Sequence, residues 1–481
     1  MSLSSSHIVP GRREDVWDWH TRPGAVQRLT PPFIPLTPIQ QAHSLKDGTT
    51  IFSLPAGLRW EARHDLSGYV KGFSFTDVCL NAPIKALSYW RHTHSFLDAS
   101  TPHAVATKIT DNVHTRVPAS TLAPMFAYRQ QQLIGDLSFA QRLQALNAAK
   151  LTVAITGSSG LIGTALRAQL TTLGHKVIQF VRPGNQPAKI DPETMRIWDP
   201  LQPNPDLLHD VDVVVHLAGA PIFGRFTEAH KQSLWQSRIT PTQQLANLIA
   251  EHDQPITFIA GSSIGYYGHD RTDEVLTETA ASGRGFLADL TKQWEAAANL
   301  AQAGHARVVN LRTGIVLSGR GGFLPVLRTL FSAGLGGHLS TGEQGFSWIA
   351  LDDLTDIIIT AALDDALEGP LNATAPAPVT NAQMAQDLGA QLNRPAWFPI
   401  PTIGAKAILG SQGTEEFALA DQHVIPDVLL KRKHYFRYPT LSAAFAHELG
   451  NETLFDAPVQ PTSDPTTQPY GTSWLRLPKF F

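Results

Sequence analysis

The chain carries a single cysteine, Cys79, in 481 residues, so no disulfide can close within it. No Cys/His cluster has the spacing of a zinc site. Charge is scarce as well: charged residues make up 16%, and 38 Lys+Arg against 41 Asp+Glu give a net charge of -3. Without a basic block, binding driven by neutralising nucleic-acid phosphates is excluded. No run approaches the roughly 18 apolar residues of a membrane helix, and the opening Met1–Pro10 lacks a secretory apolar core. A reducing cytoplasm is the expected location.

What is present is apolar. Hydrophobic residues reach 43%, enough to bury a large core and to exclude a disordered chain. At roughly 150 residues per domain, about three domains are expected. The clearest boundary lies near Ala149. Before it, 139–149 has helical apolar spacing; after it, 151–156 is a short β-branched run suited to a buried parallel strand. Strands at 176–181, 211–217, 256–261 and 307–312 then alternate with helices at 228–251 and 287–302. That alternation predicts a doubly wound α/β domain. Residues 1–148 differ, with a short helix at 13–20 and strands at 59–66, 72–78 and 106–113 that expose one face, an α+β pattern.

The chemistry is concentrated after the boundary. Gly157-Ser158-Ser159-Gly160-Leu161-Ile162-Gly163 follows the strand at 151–156 and opens a helix. Glycines there permit a tight turn, a close backbone approach to a pyrophosphate and close packing of helix on strand. The helix N-terminus offers free amides to the phosphates. A glycine triplet alone is weak; its strand–turn–helix context gives it weight. About 20 residues on, an NAD site usually carries an acid for the ribose 2′-hydroxyl. This chain has Arg182 there, and no acid before Asp191. A guanidinium can hold a 2′-phosphate bidentately, so NADP(H) is expected over NAD(H). Small residues, Ala218-Gly219-Ala220, follow the strand at 211–217 and leave room for a cofactor across the strand ends.

In order, Gly157–Gly163, His216-Leu-Ala-Gly-Ala-Pro-Ile222, Ser237-Arg238, Gly261-Ser-Ser-Ile-Gly-Tyr-Tyr-Gly268, Leu311–Leu317 and Trp348–Asp353 resemble the atypical extended short-chain dehydrogenase/reductases. More closely, they are similar to the nucleoside-diphosphate-sugar epimerase, SDR39U1-like group. The resemblance covers about 151–448. It implies a Rossmann-type doubly wound parallel sheet over 151–395 and a small C-terminal substrate domain over 396–450. The Pro-, Thr- and Ser-rich stretch from Asp456 to Phe481 reads by composition as a loose tail, taken as 451–481. Residues 1–148 resemble the helix-grip domains of the START/polyketide-cyclase type, which implies an apolar ligand. Arg182, Leu217 and Ala218 match positions lining the NADP site, and Arg238 matches a cofactor-contacting arginine. From the residues alone, Arg238 is equally a surface arginine on the helix at 228–251.

The family relay Tyr-x-x-x-Lys is missing. The corresponding helix reads Phe286-Leu-Ala-Asp-Leu-Thr-Lys-Gln-Trp-Glu295, without tyrosine and with Lys292 one residue out of register. Such a lysine lowers a phenol pKa so that a proton can move near neutrality. The remaining catalytic candidates are Ser262, Ser263, Tyr266, Tyr267 and Lys292; Tyr267 reads equally well as a packed ring with a bonded hydroxyl. The pairs Asp352-Asp353 and Asp364-Asp365 read as helix caps. His92-Thr-His94 has strand spacing but no nearby third ligand, and reads as a solvated face rather than a metal site. The aromatics Trp17, Trp19, Trp60, Phe73, Phe75, Trp90 and Phe96 read as core before cavity lining. Two classes of function follow. One is an NADP(H)-dependent oxidoreductase or epimerase-like enzyme acting on a small molecule; the other is a non-catalytic NADP(H) sensor. No metal is expected in either, and oligomerisation stays open.

Overall fold

The computed structural model describes residues 2–144, 149–184 and 190–455 and divides the chain into two compact units, 1–147 with 450–481, and 148–449.

The first unit runs β1 (Ser2–Pro10), α1 (Arg13–Thr21), α2 (Ala25–Leu29), β2 (Thr37–Gln40), β3 (Thr49–Ser53), β4 (Arg59–His64), β5 (Ser74–Cys79), α3 (Ile84–Ser88), β6 (Arg91–Asp98), β7 (Ala106–His114) and α4 (Ala119–Gln144). Its seven strands form one antiparallel sheet in the order β1-β7-β6-β5-β4-β3-β2. The strand period of two is plain in β6, where His92, His94 and Phe96 are buried and their neighbours are not. Phe75 on β5 and Ile109 on β7 join that face, and Leu133, Ile134 and Leu137 of α4 cover it with Trp17 and Trp19. The aromatic set is therefore divided. Trp17, Trp19, Phe75 and Phe96 form core, Trp60, Phe75 and Trp90 line a cavity, and Phe73 is exposed beneath the Arg13 guanidinium. Leu454 and Phe455 pack on this unit, and the Phe455 amide donates to Gln130 Oε1 at 2.9 Å. The rest of the expected tail, 456–481, lies outside the described residues.

The second unit runs β8 (Thr152–Thr156), α5 (Leu161–Thr172), β9 (Lys176–Val181), β10 (Met195–Ile197), β11 (Val213–His216), α6 (Glu228–Gln236), α7 (Ile239–Ala250), β12 (Thr257–Ser263), β13 (Asp270–Leu276), α8 (Phe286–Asn299), β14 (Arg307–Thr313), β15 (Ile315–Leu317) and α9 (Phe323–Ser332). It continues through β16 (Gly345–Phe346), β17 (Trp348–Ala350), α10 (Leu351–Leu363), β18 (Gly369–Ala373), β19 (Val379–Thr380), α11 (Asn381–Leu392), α12 (Ile403–Gly413), β20 (Asp421–Val424), α13 (Asp427–Lys431) and α14 (Leu441–Leu449). Seven parallel strands lie in the order β10-β9-β8-β11-β12-β14-β18. Ala154, Val214 and Phe258 are fully buried because helices cover both faces, which is why these strands read as continuous apolar runs. The order reverses between β8 and β11, and ligands bind outside the carboxyl ends of the strands at such a switch point.

Two expectations change. The helix expected at 228–251 is two helices broken at Ser237–Arg238. Pro241 lies in the first turn of α7 and has no N–H to give to Ser237, so a continuous helix would lose that bond. Of the acids expected as caps, Asp364 is the C-cap residue of α10, whereas Asp353 in its first turn turns away from the helix. Asp353 accepts the backbone N–H groups of Arg437, at 2.5 Å, and Tyr438, at 3.0 Å, and Arg437 pairs with buried Asp356 at 2.7 Å. Burial pushes the Asp353 carboxyl up to about 7. These acids hold the C-terminal segment against α10.

Candidate functional site

Gly157 turns out of β8 with φ at +67°, a conformation only glycine takes without strain. A Cβ on it would lie 2.9 Å from the Leu217 carbonyl carbon, so the turn presses directly on the end of β11. Gly163, inside α5, faces the loop itself: a Cβ there would sit 2.3 Å from the Gly157 carbonyl oxygen. Gly160 caps the helix with extended backbone and no side-chain bond, which leaves the first amides of α5 open to a ligand. Ser159 and Gly160 are exposed, Leu161 and Ile162 are half-buried, and Ser158 is buried. This loop can receive a phosphate on its backbone.

The end of β11 is organised by hydroxyls. Thr156 Oγ1 accepts from the amides of Leu217 at 3.1 Å and Ala218 at 3.2 Å, so its proton goes to His216 Nδ1 at 2.8 Å. His216 Nε2 then donates to Thr242 at 3.0 Å, which also receives the Trp294 indole N–H at 3.0 Å. Burial, helped by nearby Arg238, holds His216 down at about 4, a neutral ring.

Arg238 sits at the break between α6 and α7 with its side chain buried. Nη2 donates to the Ala220 carbonyl at 2.9 Å, the guanidinium lies 5.1 Å from the Trp294 ring centre, and Nε has no hydrogen-bond partner. A Cβ on Gly219 would stand 3.0 Å from its central carbon. Burial lowers its pKa to about 10, and no carboxylate among the described residues pairs with it. A buried guanidinium without a counter-charge invites an anion. Arg182 lies exposed just beyond β9, with no hydrogen bond or ion pair among the described residues.

The other end of the crevice is built of paired charge. Ser262, Arg312 and Asn372 are register partners across β12, β14 and β18. Arg312 grips Glu295 of α8 with two bonds of 2.8 Å, and Ser262 Oγ donates to the same carboxylate at 2.6 Å. Arg312 also donates to the Tyr267 hydroxyl at 3.0 Å, and that hydroxyl donates to Asn372 Oδ1 at 2.7 Å. Burial pushes the Tyr267 phenol up. The Tyr266 ring lies under the Arg312 guanidinium at 3.5 Å.

Of the catalytic candidates, Ser262 and Tyr267 thus meet in one buried network, in which Tyr267 is a packed ring with a bonded hydroxyl. Ser263 is half-buried and accepts the Gly265 amide at 3.1 Å, which leaves its own proton free. Tyr266 is half-buried, and its hydroxyl makes no hydrogen bond among the described residues. Lys292 is not brought to them. It lies on the exposed side of α8, whose buried side carries Leu287, Thr291, Trp294 and Glu295. The lysine is one position off because α8 repeats every 3.6 residues, and Thr291 takes the inward place. Glu295 and Arg312 are the residues sequence reasoning missed. Arg312 is the lone charge over 308–317, which was its only signal; Glu295 shares its helix with Asp289 and Lys292 and had none.

Such a sheet, glycine turn and hydroxyl-bearing fifth strand define an α/β protein with the fold of the extended dehydrogenases. Residues 153–372 match the NAD dependent epimerase/dehydratase family, and residues 400–448 match a domain of unknown function, DUF1731. An epimerase family protein of Mycobacterium tuberculosis is 41% identical over 302 residues, covering 62% of this chain and 98% of the relative. The chain belongs to this epimerase family. The crystal structure of a nucleoside-diphosphate sugar epimerase from Corynebacterium glutamicum is 53% identical, with a TM-score of 0.83 over 94% of this chain and 91% of that one. Human epimerase family protein SDR39U1, solved with NADPH, is 32% identical, with a TM-score of 0.56 over 63% of this chain and all of that chain.

Proposed function

We propose that the second unit binds NADP(H) and serves an oxidoreductase or epimerase-like reaction on a small oxygen-bearing substrate, without the Tyr-x-x-x-Lys relay. The observation that carries this is the pairing of a loop with no room for side chains at Gly157 and Gly163 with two arginines, Arg182 and Arg238, that have no carboxylate partner among the described residues. The orphaned Nε of Arg238 fits a phosphate-bearing group, and the NADPH in the human relative supports the same reading. When bound, the cofactor supplies or accepts hydride. The chain's part is to hold phosphate on the α5 amides, to orient a substrate oxygen with the free Ser263 hydroxyl, and to deliver a proton from Tyr266. Calorimetry with NADPH and NADH tests the binding. A panel of carbonyl substrates assayed for NADPH oxidation, with Tyr266→Phe lowering kcat by about 100-fold or more while leaving NADPH affinity unchanged, tests the chemistry.

A second reading, an NADP(H) sensor, is favoured by one observation: the hydroxyls of Ser262 and Tyr267 are already committed to Glu295 and Asn372. NADPH binding without turnover on any substrate would select it. For the first unit we propose a START-like role in holding a small apolar ligand, supported by its cavity of about 140 Å³ beside Trp60, Phe75 and Trp90.

A further inference from the structure

The pair His92 and His94 is not a solvated face. Both rings are buried on the inner face of the first unit's sheet, where strand register brings an acid from each neighbouring strand: Asp77 opposite His92, and Asp111 opposite His94. Asp111 Oδ1 stands 2.9 Å from His92 Nε2 and 2.8 Å from His94 Nδ1. A carboxylate only accepts, so those two nitrogens carry protons, and in neutral rings the other two, His92 Nδ1 and His94 Nε2, are lone pairs. Both turn toward Asp77 Oδ2, at 3.4 and 3.9 Å. The second oxygen of Asp77 takes the Trp90 indole N–H at 2.9 Å, which fixes the carboxylate with Oδ2 facing the histidines.

We propose that Asp77, His92 and His94 bind a divalent first-row transition metal ion, zinc or iron(II), in the cavity of the first unit. The three donor atoms lie within 4.8 Å of one another. A tetrahedral ion with bonds of about 2.0–2.2 Å needs ligands roughly 3.3–3.6 Å apart, so modest side-chain closure suffices. Asp111 supplies the outer-shell carboxylate that orients metal-binding histidines, here for two rings at once. Two imidazoles and one carboxylate leave the ion an open side, as in catalytic zinc sites and in iron(II) facial triads. That side faces the cavity, since Asp77, His92 and His94 line it together with Phe75, Trp60 and Arg129. Two carboxylates, one guanidinium and a divalent ion leave one positive charge, which suits an anionic oxygen ligand on a molecule of about one aromatic ring in size. This inference is independent of the NADP(H) reading, because every residue in it belongs to the first unit.

The test is metal binding by the full chain. Protein from cells supplied with zinc and iron is assayed for metal by mass spectrometry, stripped with a chelator, and titrated with Zn²⁺, with Co²⁺ under visible absorption, and with Fe²⁺ without oxygen. One equivalent with a micromolar or tighter Kd and cobalt ligand-field bands are expected, and the tighter of zinc and iron names the ion. Asp77→Asn and His94→Gln should each remove this binding. Asp111→Asn should weaken it about 10–100-fold, and near-ultraviolet circular dichroism reports folding of each variant. Absence of saturable binding by the unaltered chain overturns the proposal and leaves a proton shared between the histidines and acids. Full binding retained by folded Asp77→Asn and His94→Gln overturns it as well.

Discussion

Two halves of one crevice, at the carboxyl edge of the parallel sheet, are built on opposite rules. On the side of β8, β9 and β11, polar groups are left open: the α5 amides, Arg182, and Nε of Arg238. On the side of β12, β14 and β18, Ser262, Glu295, Arg312, Tyr267 and Asn372 answer one another. A closed network rigidifies, because every buried group has its partner. An open one is waiting for a ligand. The difference separates what the sheet needs in order to fold from what it offers to a cofactor. It also explains how serine and tyrosine can persist in the expected places without a proton relay.

The closed half should fail by unfolding. Glu295→Gln leaves Arg312 buried beside a neutral amide and should cost about 3–5 kcal/mol, read from denaturant midpoints, while NADPH affinity in the folded fraction holds. A large loss of affinity with unchanged stability would erase the distinction. Next in size is a pH effect at the border between the halves. His216 titrates near 4 when folded, from burial and Arg238, against 6.5 in the unfolded chain. The unfolded state therefore binds the proton first. The stability from this group is fully present above pH 6.5 and is lost as pH falls toward 4, by on the order of 3 kcal/mol, and His216→Gln should flatten that slope.

The open half should fail by affinity. Gly163→Ala puts a methyl group 2.3 Å from the Gly157 oxygen, so the loop must move. About 1–3 kcal/mol of stability should go, with a tenfold or greater loss in NADPH affinity by calorimetry. Arg182→Asp is the gentlest change. Being exposed, it should leave stability untouched, weaken NADPH by about 1–3 kcal/mol and rescue NADH. Equal affinity of the unaltered chain for NADPH and NADH would remove Arg182 from the site.

The sequence shows the open half far better than the closed one. Glycines before a helix, and an arginine after a strand, are local signals whose spacing carries the geometry, so Gly157–Gly163 and Arg182 stand where expected. Glu295 and Arg312 are 17 residues apart and meet only because a helix and a strand pack together. The same limit hid the first unit's cluster. His92 and His94 look solvated until register sets Asp77, 15 residues earlier, and Asp111, 17 residues after His94, beside them. Pro241 marks the break at Arg238, but the apolar period continues on both sides of it, so the sequence reads as one helix over 228–251. β1 was missed because Ser4-Ser5-Ser6-His7 lacks the β-branched residues that mark a strand.

That missed strand carries a consequence for synthesis. Among the described residues β1 pairs with β7 alone, from Ser2 against His114 to Pro10 against Ala106, so its partner emerges from the ribosome about a hundred residues later. At roughly 5–20 residues per second the first strand waits on the order of 5–20 seconds before its hydrogen bonds can form. During that interval His7 and Val9, both buried in the finished sheet, are exposed on an unpaired segment. β1, the first strand of its unit to be made, is thus among the last of that unit's strands to find a partner.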